Sequence, residues 1–138
     1  MDEGDKSPDW KGYGVDQAVI EQFVRTRFGD KVMDNKEERA ARVLEEAIEL
    51  FQVDARDPKE GRAKAHKLID VVFDKKVGDR KQEIGGLGVT LLALCAAHEH
   101  RLDELVKTEI ARIMSMSPDH FLQKQTAKSD LGVAERPE

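Results

Sequence analysis

Apolar residues recur along this chain at the spacing of helices, and no run alternates as a strand would. The clearest stretch is residues 39–52. There Ala40, Leu44, Ala47, Ile48 and Phe51 follow i, i+4, i+7, i+8, i+11, the stripe of an amphipathic helix. The other side carries Glu45, Glu46 and Glu49. This helix is expected over about residues 36–53. Asn35 suits its N-cap, and Glu37 and Glu38 suit the positive end of its dipole. Upstream, Val15, Ala18, Val19, Phe23 and Val24 mark a helix over residues 15–28. Asp16 serves near its start and Gly29 stands just past its end. Residues 31–35 link the two. Downstream, Asp57-Pro58 is a stop, because the residue before proline resists helix. A helix over residues 59–74 then carries Ala65, Leu68, Ile69, Val72 and Phe73 inward, with Asp70 near the polar edge. Phe51 and Phe73 read as core. Residues 75–78 form a basic turn.

The next helix is of another kind. It starts at the N-cap Asp79, runs to Ala97, and is uncharged from Ile84 onward. A helix that is apolar all round is buried. It is therefore either the central helix of the fold or one partly buried in a dimer interface. It also holds Gly85, Gly86 and Gly88, each costing a helix about 0.5–1 kcal/mol relative to alanine. Such a cluster suits close approach of another backbone or room for a ligand; a kink, or a strand-like start before Val89, is the plain alternative. Leu102, Leu105, Val106, Ile110 and Ile113 give a helix over residues 102–116. Ser117 or Asp119 caps a last short helix to residue 128. The fold class is all-α, a bundle of four to six helices. A polar arm over residues 1–14, with Trp10 and Tyr13, precedes the helical domain at 15–128, and a flexible tail follows at 129–138.

Composition narrows the function. A length of 138 residues is that of one domain. A net charge of −5 argues against duplex nucleic acid, which needs a basic stripe, and against anionic membrane surfaces. Nucleotides remain compatible, because a metal ion bridges an acidic site to phosphates. Cys95 is the single cysteine, so disulfides and multi-cysteine zinc sites drop out, and it reads as a small buried hydrophobe. No signal peptide and no stretch of about 20 apolar residues is present, which leads to the expectation of a cytoplasmic protein.

The candidate chemistry lies in carboxylates. Glu46 and Glu49 are three apart on one helix face, where like charges cost a few tenths of a kcal/mol. Nearby lysines or a divalent cation would offset that, and a plain solvated acidic face is the other reading. Glu83, in the first turn of the apolar helix, is a third candidate carboxylate and Asp70 a fourth. Alternatively, Glu83 simply complements the helix dipole and Asp70 lies on the surface. Oxygen ligands without cysteine or histidine suit magnesium or manganese. His66, four residues before Asp70, makes with it either an acid–base couple or a structural hydrogen bond.

The residues EEAIE at 45–49, followed by QEIGG at 82–86, resemble the MazG-like all-α nucleoside triphosphate pyrophosphohydrolases. That family carries Glu-Glu-x-x-Glu on one helix and Glu-x-x-Asp on the next. The resemblance covers about residues 37–116 and extends into GLGVTLLALCAAH after the second motif. It implies a helical bundle completed by oligomerisation, as a homodimer or homotetramer. It implies a magnesium cofactor, with manganese as substitute, and cleavage of a nucleoside triphosphate to monophosphate and pyrophosphate. Glu46, Glu49 and Glu83 take the family's metal-ligand positions, and Glu45 takes the leading acidic one. Glu45 or Glu46 accepts the proton of the attacking water. Gly86 stands where the family has aspartate, and the segment between the motifs is longer than usual. Asp70 either replaces the missing ligand or the chemistry is weakened. Thr90, one turn beyond Gly86, lines the pocket in either case. Arg112, Lys124 and Lys128 are the basic residues in the last third, where the family places groups near the phosphates; spacing singles out none of them, and a solvated surface role is the other reading for each. The competing expectations are a non-catalytic nucleotide-binding or regulatory homologue and a helical interaction module.

Overall fold

Glycine, proline and short acidic residues set the helix ends in this chain, and a computed structural model places them. It describes residue 12 and residues 14–138, so the arm with Trp10 and Tyr13 lies outside the described residues except for Gly12 and Gly14. Every regular element described is a helix: α1 (Val15–Phe28), α2 (Asp30–Asp34), α3 (Lys36–Asp54), α4 (Pro58–Phe73), α5 (Arg80–Ala97), α6 (Leu102–Met114) and α7 (Pro118–Asp130). The protein is all-α. Asn35 caps α3, its Oδ1 accepting from the Glu38 amide at 3.0 Å. Asp57 caps α4, with Pro58 in the first turn. Asp79 caps α5 through the Gln82 amide. None of the helices described is long and apolar enough to cross a membrane.

The chain divides into two compact units. The first takes residues up to Leu44 and from Lys107, and the second runs over Glu45–Val106. The boundaries fall inside α3 and α6.

The first unit contains one helix more than the hydrophobic pattern predicts. Residues 31–35, read as a link, form most of α2. Gly29 has φ of +97°, a region that side chains disfavour, and this ends α1 and turns the chain. A β-carbon there would also sit 2.7 Å from the Glu138 side chain. Val32 then inserts into the core with no exposed surface. Phe23 and Val24 are buried beside it, packed by Ile20, Phe28, Met33, Ile113 and Phe121. Phe23, Phe28 and Phe121 meet edge to face at centroid distances of 5.4 to 6.5 Å. Arg25 pins α1 to α2 by bonding Glu21, Asp30 and Asp34, which holds its guanidinium proton more tightly than usual. Phe23→Ala is expected to cost about 3–5 kcal/mol, as for other aromatic truncations in cores. Chemical denaturation followed by circular dichroism measures it, and a loss under 1 kcal/mol would refute this account of the core.

The residues from Ser129, expected as a flexible tail, extend α7 by two residues to Asp130 and then make defined contacts. Glu135 accepts from Asn35 Nδ2 at 2.7 Å and pairs with Lys31 Nζ at 3.1 Å. Glu138 accepts from the Lys31 amide, and its own amide donates to the Phe28 carbonyl. Gln125, buried on α7, donates to the Glu135 carbonyl and to the buried Glu38 carboxylate, which Arg39 also bonds. Lys31, and then Asn35, hold the Glu135 carboxyl below the usual glutamate range. A lowered folded value means that this contribution is complete above the ordinary glutamate pKa, about 4.3, and is lost as pH falls through the folded value. Amides of residues 133–138 are therefore expected to exchange faster on going from pH 5 to pH 3. After correction for the intrinsic pH dependence of exchange, unchanged protection would sink the idea.

The second unit has little core of its own. Of the two expectations for α5, the second unit does not enclose it as a buried central helix: only Cys95 on it is buried, while Ile84, Leu87, Val89 and Leu92 are exposed. On α4, Leu68, Ile69, Val71, Val72 and Phe73 are exposed as well, so Phe73 is not core. Local periodicity makes a helix apolar, but it does not say which chain covers that surface.

Candidate functional site

The acidic residues singled out from the sequence all fall in the second unit. Glu45, Glu46 and Glu49 stand on α3, where the apolar stripe expected to face inward is largely exposed: Leu44 and Ile48 are exposed and Phe51 is half-buried. Glu45 is half-buried, and Glu46 and Glu49 are exposed. Asp70 stands exposed on α4. Glu83 is in the first turn of α5. Its carboxylate folds back over Gly78, so that a β-carbon at residue 78 would collide with it. The turn glycine before α5 thus makes room for this side chain. Among the described residues no group of three or more histidine, cysteine, aspartate or glutamate side chains is placed to hold a metal ion. Among the described residues the oxygen donors thus stand on separate helices, Glu45, Glu46 and Glu49 on α3, Asp70 on α4 and Glu83 on α5.

Thr90 is exposed on α5, and its hydroxyl donates to the Leu87 carbonyl at 2.9 Å, within its own helix. A β-carbon at Gly85, Gly86 or Gly88 would meet no atom within 4 Å beyond the backbone of its own helix. The glycines thus face open space within this chain. The basic candidates belong to the first unit. Arg112 is bonded to Glu109 one turn earlier and keeps that carboxyl below its usual range. Lys124 is exposed and Lys128 half-buried on α7.

Two clefts open in the second unit. One, of about 370 Å³, lies between α3 and α4. Ile48, Phe51, Ala55, Ala65 and Ile69 give it an apolar floor, and Glu49, Gln52, Arg62 and His66 its polar groups. The hairpin of α3 and α4 closes tightly at one end, where a β-carbon on Gly61 would sit 2.8 Å from Ala55 Cβ. Phe51 is half-buried there, so it lines a cleft and is not enclosed in a core. The other cleft, of about 330 Å³, lies among the ends of α3 and α5 and the start of α6. Leu50, Leu91, Leu94 and Cys95 line it, and His98 Nε2 reaches Asp54 at 3.1 Å beside it. Cys95 is buried and free, as its neighbours in sequence implied.

Gln52 and Arg62 were not singled out from the sequence. The signal was available in the spacing. Gln52 follows Glu49 by three residues and Arg62 precedes His66 by four, so each shares a helix face with a residue already marked. Comparison with protein-family models, with curated proteins and with solved structures finds no match to this chain.

Proposed function

We propose that this protein is a metal-dependent nucleoside triphosphate pyrophosphohydrolase of the MazG-like kind, working as a homodimer or homotetramer. The observation that carries the reading is the donor set itself: Glu45, Glu46 and Glu49 on α3 and Glu83 at the start of α5, within one unit. All are carboxylates, the chemistry that magnesium or manganese prefers. Glu46, Glu49 and Glu83 would hold the ion, with Asp70 as a fourth donor in place of the side chain that Gly86 lacks. A bound ion of this kind neutralises phosphate charge and lowers the pKa of a coordinated water. Glu45 or Glu46, whichever is not a ligand, accepts the proton of the attacking water. No serine or cysteine nucleophile is needed, because this reaction depends on charge neutralisation and in-line positioning.

Assembly is part of the proposal. Fully burying an aliphatic side chain contributes about 1.5–3 kcal/mol. The exposed Ile84, Leu87, Val89 and Leu92 of α5, with those of α4, leave much of that unrealised. Exposed large apolar side chains in this number suit an interaction face. The open positions at Gly85 and Gly88 suit close approach of a second copy. Such a copy would also bring further carboxylates to the site.

The test is incubation of the purified protein with a panel of NTPs and dNTPs, with magnesium, with manganese and with chelator, followed by chromatography. Monophosphate and pyrophosphate appearing only with metal is the expected result. A second reading is favoured by Gly86 and by the absence of a three-carboxylate group among the described residues: a nucleotide-binding homologue without turnover. It predicts nucleotide affinity by calorimetry with no product under any metal.

A further inference from the structure

The cleft between α3 and α4 has a composition that the proposed reaction does not explain. Phosphate and metal need oxygen donors and cations, which Glu49 and Arg62 could supply at its wall, but they have no use for its aromatic and aliphatic floor of Ile48, Phe51, Ala65 and Ile69. At about 370 Å³ it falls within the range of small-ligand sites, which pair apolar walls with a few polar groups. Glu49, proposed above as a metal ligand, lies on its wall. The cleft is thus continuous with the place where the phosphates would be held.

We infer that this cleft receives the nucleobase of the nucleotide, with Phe51 as its stacking surface and Gln52 and His66 as the groups that read its edge. The inference rests on the nucleotide reading given above. A base offers a flat π-face and an edge bearing both donors and acceptors. Phe51 supplies the face. The Gln52 amide presents a carbonyl acceptor and an NH2 donor, and the two ring nitrogens of His66 add further hydrogen-bonding groups. They approach from α3 and α4 respectively, so an edge inserted between the helices meets both. The Arg62 guanidinium, one turn before His66, is a planar cation suited to stacking or to the phosphate nearest the sugar.

The deciding experiment uses two ligands with magnesium present: a non-hydrolysable nucleoside triphosphate analogue and inorganic tripolyphosphate, which has no base. Calorimetric titration is run on the wild type, Gln52→Ala, Ala65→Leu and Glu49→Ala. Gln52 is exposed and its truncation leaves the fold intact, while Ala65→Leu fills the floor and is checked by circular dichroism. The expected result is a loss of about 10-fold or more in nucleotide affinity for both cleft variants, in line with the loss of a base contact. Tripolyphosphate affinity stays unchanged in both, whereas Glu49→Ala weakens both ligands. If the cleft variants bind the analogue as the wild type does while Glu49→Ala does not, the base lies elsewhere and the inference falls, with the nucleotide reading intact. If Ala65→Leu changes the sedimentation coefficient but not nucleotide affinity, the cleft is an interface between copies and the inference falls equally. If the wild type binds neither ligand, the nucleotide reading itself is overturned and the inference with it.

Discussion

Glu49→Ala is expected to lower kcat/KM for triphosphate hydrolysis by about three orders of magnitude, equivalent to roughly 4 kcal/mol of lost transition-state stabilisation. Helix content should not change. Glu49 is exposed on α3 and contributes nothing to a core, so the substitution removes no packing. It also removes a like charge three residues from Glu46, which favours the helix by a few tenths of a kcal/mol. The wild type should melt higher with magnesium than with chelator, and the variant should show no such shift. Loss of activity, loss of the metal shift and preserved stability together identify a ligand. A variant that keeps both activity and the metal shift would return the acidic face of α3 to a solvated surface.

Leu92→Glu on α5 is expected to convert the protein to a monomer. Gly85, Val89, Leu92 and Ala96 recur at i, i+4, i+7, i+11 and so share one face of the helix. Val89 and Leu92 are 66% and 55% exposed in the chain, so neither holds the chain's own fold together. A carboxylate buried there without a partner costs about 3–5 kcal/mol per contact, roughly a hundred- to several-thousand-fold in association. Analytical ultracentrifugation at micromolar protein should show the wild type as a dimer or tetramer and the variant as a monomer. The variant should also melt lower, because a second copy, if lost, would no longer stabilise the second unit. A wild type that sediments as a monomer, or a variant of unchanged size, would exclude α5 as the contact. If α5 does form the contact, activity should fall with assembly, since a second copy would bring further carboxylates to the site.

The elements were legible from the sequence because local chemistry decides them. Asn35, Asp57 and Asp79 each offer an oxygen to an amide two or three residues on. Stripes at helical spacing then fix the type of each element. The missed helix α2 shows where this stops. Five residues are too few for a periodic stripe, and Val32 gives no local sign that it will be the most buried side chain. The same limit applies to the residues from Ser129. Their polarity suggests a loose tail, yet Glu135 and Glu138 find Lys31 and Asn35 about a hundred residues away in sequence.

The candidate site divides along the same line. Residue type and spacing on one helix are local, so the carboxylates of α3 and the dipole-facing Glu83 could be named from the chain alone. The cleft could not, because Gln52 and Arg62 come to line one cleft only through the turn of the chain at Asp57-Pro58. By itself the sequence determined an all-α chain, its caps and breaks, its acidic helix and an uncharged helix that needs a cover. The tertiary structure alone decided that the core forms around Phe23, Val24 and Val32, and that the last residues fasten to Lys31 and Asn35. It also decided that, within the second unit, α5 leaves Ile84, Leu87, Val89 and Leu92 exposed. Helix formation rests on contacts within four residues, whereas burial depends on which distant surfaces meet.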